Sequence, residues 1–203
     1  MEQDSPAVIL YSDPTFPDRS EAFLCGEDQI LFDMFQNALG QLYRLEVRKI
    51  VIACVTIHYL LPRLPLDLRR RIIPLTDIIL SEVVATRQKR LLLCTIGTRK
   101  MRIFESHELW AAAKPYIVFL DESDQNIIHQ RIYCEIKTNA GAKSLTTFLA
   151  ELCVKYRVDS FIAGCTELHC VTRLMAARDA PHSSIACLDP LLMIAQNYKE
   201  FLL

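Results

Sequence analysis

The sequence predicts an α/β fold in which parallel sheets are covered by helices. Short β-rich runs alternate with longer amphipathic stretches. Hydrophobic residues make up 51% of the 203 residues, and one apolar strand with its following loop occurs twice. A chain of this size and composition can form one large domain or two small ones.

Five runs rich in aliphatic and β-branched residues are predicted strands. In chain order they are Ala7 to Ser12, Lys49 to Ala53, Arg90 to Thr95, Tyr116 to Phe119 and Ser160 to Ala163. Helices are predicted from Asp28 to Leu45 and from Leu145 to Tyr156, because apolar residues recur there with helical period. In such folds ligands bind beyond the carboxyl ends of the strands, so the loops after the strands are the expected place for a site.

The charge pattern argues against nucleic-acid and membrane partners. Lys and Arg total 23 against 24 Asp and Glu, and no basic block of five or more residues occurs. No segment reaches the roughly 20 apolar residues of a membrane helix, and the chain opens with Glu2, Gln3 and Asp4 instead of a signal region. We therefore expect a cytoplasmic protein.

The eight cysteines have irregular spacings and form no CxxC pair. A zinc site is therefore not expected, and no other metal is predicted. Without a secretion signal, reduced thiols that are mostly buried as small apolar side chains are the expectation.

Two strand-end cysteines occur in repeated surroundings. Cys54 and Cys165 lie 111 residues apart, and each ends an apolar run and is followed by a threonine and, four residues on, by a histidine, His58 or His169. The repeat predicts two pseudo-symmetric halves that face each other across a cleft. We assign residues 1–88 to the half with Cys54 and 89–188 to the half with Cys165, and a helix in 189–203 is expected to pack back on the first half.

The position of these two cysteines favours reactive thiols. A cysteine between a strand and a helix lies at the positive end of the helix dipole, which stabilises a thiolate, and free backbone amides nearby can hold a carboxylate. The alternative is that both are core cysteines in tight turns. The two histidines are either acid/base partners or structural residues, since each lies about one helical turn after its cysteine.

Five segments together resemble the aspartate/glutamate racemase family. They are the Cys54 motif, Gly164-Cys165-Thr166-Glu167, the loop from Tyr11 to Arg19 that ends in Pro-Asp-Arg, Leu91 to Thr98, and Ile136-Lys137.

The resemblance implies a racemase without organic cofactor, in which Cys54 and Cys165 are the two acid/base groups. Arg19 and Lys137 would bind the side-chain carboxylate of the substrate, and Thr98 would donate a hydrogen bond to a carboxylate oxygen. Thr56 and Thr166 would stabilise charge, and Glu167 would cap a helix or orient a neighbour. Members of this family often dimerise, so a homodimer is expected.

The chain departs from the family pattern in two places. Val55 stands at a substrate-contacting position where the family has asparagine. The family's first strand, which precedes the segment equivalent to Ala7 to Ser12, is expected to be absent. The N-terminal half is therefore expected to have exposed strand edges and to lack one wall of the site.

The resulting prediction is racemisation of aspartate by a thiol and a thiolate on opposite faces of Cα. The alternatives are a racemase or isomerase of another small carboxylate, such as glutamate or a maleate-like compound, and a catalytically inactive carboxylate-binding relative. Retention of both Arg19 and Lys137 favours a dicarboxylic amino acid, whereas Val55 favours a changed substrate.

Overall fold

The strands of the computed structural model form two parallel sheets, with helices between successive strands along the chain. The structure describes residues 7–138, 142–175 and 185–202. The α/β class predicted from the sequence is confirmed. Within the described residues, no helix combines the length and the hydrophobicity needed to cross a membrane.

The smaller sheet has two short strands, in which Ile50 pairs with Ile72 and Val51 with Ile73. The strands and helices of this part of the chain are, in order, α1 Arg19–Cys25, α2 Asp28–Arg44, β1 Ile50–Val51, a 3-10 helix Thr56–Arg63, α3 Leu66–Arg69, β2 Ile72–Ile73 and α4 Leu75–Thr86.

Helix α2 forms where the sequence predicts it from the helical period of its apolar residues. Its buried residues Leu31, Phe35, Ala38 and Leu39 recur every three or four positions and so lie on one face. That face joins a hydrophobic cluster with residues of α1, the 3-10 helix and both strands of the smaller sheet. Burial of this stripe holds the helix against the sheet.

The larger sheet contains four parallel strands in the order β4, β3, β5, β6. Leu91, Leu92 and Leu93 in β3 are at most 2% exposed, because helices cover both faces of the sheet. The elements of this part are β3 Arg90–Leu93, α5 Ile96–Lys100, α6 Trp110–Ala113, a 3-10 helix Lys114–Tyr116, β4 Ile117–Val118, α7 Glu122–Arg131, a π-helix Ile132–Ile136, α8 Ala142–Tyr156, β5 Ser160–Ala163, α9 Leu168–Met175, β6 Ala186–Leu188, α10 Pro190–Gln196 and α11 Tyr198–Leu202.

One predicted strand is wrong: Ala7 to Ser12 forms neither strand nor helix. Val8 and Leu10 are 79% and 88% exposed, and no hydrogen bond joins this segment to β1 or β2. The β-forming composition of the segment is not sufficient, because an extended segment needs a neighbouring strand to satisfy its backbone groups.

The other four predicted strands are present, and three of them are shorter than expected. Only Ser160–Ala163 has its predicted bounds. Strands β2 and β6 were not predicted. Both predicted helices occur, as α2 and α8.

A hydrophobic cluster connects the two predicted halves. It contains Val55 and residues of α4 together with Leu92 of β3, Ile162 of β5 and Ile194 of α10. Helix α10 also contacts α4 directly. The two sheets therefore share buried apolar contacts in addition to the cluster that each has of its own.

Candidate functional site

Cys54 lies three residues after β1, in a tight turn. Its backbone N–H donates to the carbonyl oxygen of Ile52 over 2.7 Å, and the 3-10 helix begins two residues later at Thr56. The cysteine is partly exposed. Its position after a strand and before a helix matches the predicted position, with a 3-10 helix in place of an α-helix.

Cys165 follows β5 in the corresponding turn, and it is buried. Its neighbour Gly164 is packed so closely that a Cβ there would lie 2.9 Å from the carbonyl oxygen of Leu93, which explains the glycine. The Cys165 Sγ donates a hydrogen bond to Oε2 of Glu167 over 2.8 Å. Burial raises the pKa of the Cys165 thiol well above its usual value, and the nearby Glu167 charge raises it further.

Both cysteines line one small pocket at the carboxyl ends of β1 and β5. Most of the predicted site residues line it as well, and four further polar side chains join them. The residues around this pocket are Asp18, Arg19, Ser20, Cys54, Val55, Thr56, Thr95, Tyr133, Lys137, Cys165, Thr166 and Glu167.

Arg19, the first residue of α1, lies beside Cys54. Burial alone would lower the pKa of the guanidinium, but the charge of Cys54 and a hydrogen bond to it raise the pKa. Asp18 and Glu167 add further negative charge around Arg19. The guanidinium also donates to the carbonyl oxygen of Pro17 over 3.3 Å. The cation is thus directed towards the sulfur of Cys54.

Lys137 is held by an acidic and an aromatic side chain. Its Nζ lies 2.8 Å from Oδ2 of Asp18 and 3.6 Å from the centre of the Tyr133 ring. The Tyr133 hydroxyl donates to the other oxygen of Asp18 over 2.7 Å. Burial would raise the pKa of the Asp18 carboxyl, but hydrogen bonds from Lys137 and Tyr133 lower it to about 2.

Glu167 connects Lys137 to Cys165. Its Oε1 lies 3.8 Å from Nζ of Lys137, while its Oε2 accepts the hydrogen bond from Cys165. The pocket therefore holds two cations, Arg19 and Lys137, and two carboxylates, Asp18 and Glu167. Such a set can pair with a ligand that has both carboxylate and ammonium groups.

Asp18 and Tyr133 were not predicted as site residues. Asp18 occurs in the Pro-Asp-Arg sequence, next to the predicted Arg19, and it also caps α1 by accepting from the backbone N–H of Glu21. Tyr133 lies in the π-helix, four residues before Lys137, where π-helical turns often mark functional sites. The start of α1 therefore positions Asp18 in the pocket, and the π-helix positions Tyr133.

A cluster of four hydroxyl groups forms the wall beside Cys54. Thr98, which was predicted to bind a carboxylate, is 1% exposed and is not among the residues that line the pocket. Its hydroxyl lies 2.8 Å from that of Thr56 and 3.2 Å from that of Thr95, and Ser20 donates to Thr95 over 3.2 Å. The structure therefore places Thr98 behind Thr56 and Thr95, and these two reach the pocket.

Gly97 allows this cluster to form. A Cβ at position 97 would lie 2.5 Å from Oγ and 2.7 Å from Cα of Ser20. Helices α1 and α5 can approach each other only because position 97 has no side chain.

Thr166 and Val55 have different surroundings. Thr166 donates to the carbonyl oxygen of Ala53 over 2.9 Å, which joins the turn after β5 to the turn after β1. Val55 is 1% exposed and belongs to the hydrophobic cluster with Ile73 and Leu75. The side chain that stands in place of an asparagine is thus packed in the core.

The two histidines of the repeat have different partners. Nδ1 of His58 lies 2.8 Å from the carbonyl oxygen of Cys54, and its Nε2 accepts from the backbone N–H of Leu75 over 2.9 Å. His169 instead contacts Asp189, with 2.7 Å between Nδ1 and Oδ2. Neither histidine lines the pocket, and both have structural contacts.

A second, larger cavity of about 880 Å³ opens on the other side of Cys54. The segment 7–13 forms one wall and residues 45–54 form the other, with the apolar face of α2 between them. Arg19 and Cys54 line this cavity as well as the small pocket.

Among the described residues, no group of three or more His, Cys, Asp and Glu side chains is arranged to hold a metal ion. The residues of the pocket offer acid/base and charge-pairing chemistry instead.

Comparisons with known proteins support the fold that the resemblance implied. No family model matches the chain. Among solved structures, the aspartate racemase of Picrophilus torridus is similar with a TM-score of 0.75, 21% identity and coverage of 97% of this chain and 81% of that one. The chain has the aspartate racemase fold. At this identity the similarity establishes the fold and leaves the activity to be argued from the site.

Proposed function

We propose that the chain is a cofactor-independent amino-acid racemase that interconverts L- and D-aspartate with Cys54 and Cys165. One observation carries the proposal: two cysteines from repeated motifs line the same small pocket, together with Arg19 and Lys137. Inversion of Cα without pyridoxal phosphate requires one group to remove a proton and another to deliver one from the opposite face. Two cysteines in one pocket provide the two groups that this reaction needs.

The surroundings of the two sulfurs differ, which supports an assignment of their starting protonation states. The Arg19 guanidinium lies beside Cys54, whereas Cys165 is buried and donates a hydrogen bond to Glu167. The Cys54 thiolate takes the α-proton and forms an S–H bond, and the electron pair of the C–H bond remains on the substrate. The S–H bond of Cys165 then breaks as its proton goes to Cα, which leaves Cys165 as the thiolate.

The carbanion formed between these two proton transfers needs charge stabilisation. The Thr56 hydroxyl and backbone amides of the two turns are the groups assigned to the α-carboxylate, since these turns carry the sulfurs, and Thr166 holds the two turns together through its hydrogen bond to Ala53. Thr98 contributes through Thr56, to which its hydroxyl is hydrogen-bonded.

A small dicarboxylic amino acid is the proposed substrate class. Arg19 and Lys137 provide two cations for its carboxylates, and Asp18 and Glu167 provide negative charge for its ammonium group. The balance of two cations and two carboxylates favours an amino acid over a maleate-like dicarboxylate, which has no ammonium group. Aspartate and glutamate both belong to this class, and the exchange experiment below distinguishes them.

A carboxylate-binding protein without racemase activity is the second candidate function. The burial of Val55 in the core supports it, because no amide side chain is available at this position to contact a substrate. Binding of aspartate without exchange of its α-proton would establish this function.

A cytoplasmic location and a homodimer remain predictions. Sedimentation equilibrium of the purified protein tests whether it is a homodimer.

Proton NMR in deuterated buffer tests the racemase. Purified protein with reductant is incubated with L-aspartate or, separately, L-glutamate, and loss of the α-proton signal is followed. We expect exchange with aspartate and its loss in Cys54→Ala and Cys165→Ala. Cys170→Ala is the matched control, because this exposed cysteine lies outside the pocket. No exchange by the wild-type protein with either amino acid would exclude the racemase.

A further inference from the structure

We infer that His58 is a positioning residue for Cys54, because its ring connects the carbonyl group of Cys54 to the first backbone N–H of helix α4. This inference rests on the proposed function only in giving Cys54 its importance. The two hydrogen bonds of His58 are present in the structure independently of that function. They join Nδ1 to Cys54 over 2.8 Å and Nε2 to Leu75 over 2.9 Å.

The two partners fix the tautomer of the His58 ring. A backbone N–H can only donate, so Nε2 has no proton and Nδ1 carries the proton that is donated to the Cys54 carbonyl. Burial lowers the pKa of His58 to about 4, although the charge of Asp77 and hydrogen bonds to the backbone of Cys54 and Val55 oppose this shift. The neutral ring is therefore maintained at neutral pH.

Helix α4 depends on this ring at its N-terminus. Pro74 precedes the helix, and it makes no side-chain hydrogen bond to the helix. The first N–H groups of a helix have no partner within the helix, and His58 accepts from the N–H of Leu75. Because Leu75 is fully buried, this N–H has no access to water.

The same ring restricts the backbone of Cys54. The N–H of Cys54 is bonded to Ile52 over 2.7 Å, and its carbonyl oxygen is bonded to His58. With the peptide groups on both sides held, the sulfur can move only by rotation about χ1. His58 thus sets where the sulfur lies relative to Arg19.

The corresponding histidine in the other half does not have this role. The carbonyl oxygen of Cys165 accepts from the backbone N–H of Leu168 over 3.1 Å, and His169 contacts Asp189 instead. The two motifs are similar in sequence, but their histidines have different hydrogen-bond partners. His169 therefore provides a matched control for His58.

Two substitutions separate the bonds of His58. In His58→Asn the amide nitrogen lies where Nδ1 is and can donate to Cys54, but the bond from Leu75 is lost. In His58→Gln the longer side chain places its amide oxygen near the position of Nε2, so it can accept from Leu75, and the bond to Cys54 is lost.

The experiment measures the rate at which iodoacetamide alkylates Cys54, followed by mass spectrometry of the Cys54 peptide across a range of pH. We expect His58→Gln to slow alkylation at neutral pH by about fivefold, the effect of one hydrogen bond. His58→Asn and His169→Gln are expected to stay within about twofold of wild type. Equal rates in His58→Gln and wild type, or equal losses in His58→Gln and His58→Asn, would overturn the inference.

This measurement does not depend on racemase activity. Alkylation reports the position and charge state of Cys54 whether or not the protein acts on aspartate, so failure of the proposed function leaves the test intact. If racemisation occurs, His58→Gln is expected to lower kcat with little change in KM. Circular dichroism and thermal melting verify that each variant is folded.

Discussion

The thiol of Cys165 and the carboxylate of Glu167 are joined by a hydrogen bond of 2.8 Å, two residues apart in the turn after β5. Cys54 has no such carboxylate partner among the described side chains, and instead Arg19 lies beside it. The repeated motif thus produces two cysteines with opposite electrostatic surroundings. A two-base racemase needs this asymmetry, because one sulfur must begin as thiol and the other as thiolate.

Glu167→Gln is expected to make Cys165 more reactive towards iodoacetamide. Removal of the carboxylate charge leaves burial as the main cause of the raised Cys165 pKa. One nearby charge shifts a pKa by about one unit or more, so alkylation at mildly alkaline pH is expected to rise about tenfold. Peptide mass spectrometry measures it, with Glu151→Gln on the exposed face of α8 as control. An unchanged rate would mean that the Glu167 charge has no effect on Cys165.

Tyr133→Phe is expected to weaken aspartate binding without changing the chemical step. The substitution removes the hydroxyl that donates to Asp18 but keeps the ring beside Lys137. With one of its hydrogen bonds gone, Asp18 holds Lys137 less firmly. We expect KM for aspartate to rise about threefold with kcat unchanged, measured by steady-state racemisation. Tyr43→Phe, remote from the pocket, is the control, and a fall in kcat alone would contradict this role.

The free energy of unfolding is expected to decrease as the pH falls from about 6.5 to about 4. Burial keeps His58 neutral in the folded state, with a pKa of about 4 against 6.5 in the unfolded chain. Between these values the unfolded chain binds the proton and the folded protein does not, so unfolding is favoured as pH falls. The His58 contribution to this loss is on the order of 3 kcal/mol.

Urea unfolding at several pH values within this window measures the effect. The slope is expected to become shallower in His58→Asn, which has no titrating ring, and to persist in His169→Gln. An identical slope in wild type and His58→Asn would mean that His58 is not kept neutral by the fold.

Arg87→Gly is expected to stabilise the protein. Arg87 ends α4 with φ of 53°, in the left-handed region that glycine adopts without strain. Relief of this strain outweighs the greater flexibility of glycine in the unfolded chain, for a net gain of about 0.5 kcal/mol. Thermal unfolding measures it, and Arg87→Ala, which keeps the Cβ, is expected to give no gain. A lower melting temperature for Arg87→Gly would contradict the argument.

The sequence was sufficient to locate both cysteines of the pocket, because a repeated strand and loop is a local pattern with a known spatial consequence in parallel sheets. It was not sufficient for Asp18 and Tyr133. These residues lie far apart in the chain, and their meeting at Lys137 depends on the π-helix, whose extra residue per turn leaves no clear trace in hydrophobic periodicity.

The errors in the predicted strands have a similar origin. Ala7 to Ser12 has the composition of a strand, but composition does not supply the neighbour that a strand needs for its hydrogen bonds. Strand β2 is only two residues long, and Ile72 and Ile73 lie between Arg71 and Pro74, so no periodic run marks it. Pairing partners are set by tertiary structure and cannot be derived from the run itself.

The contact between Gly97 and Ser20 limits how this pocket can be redesigned. Any side chain at position 97 meets the backbone of Ser20, not only its hydroxyl, so no rotamer change relieves the overlap. In a library randomised at both positions, glycine is expected to be recovered at 97 whatever residue replaces Ser20. Engineering for larger substrates must therefore leave the junction of α1 and α5 untouched.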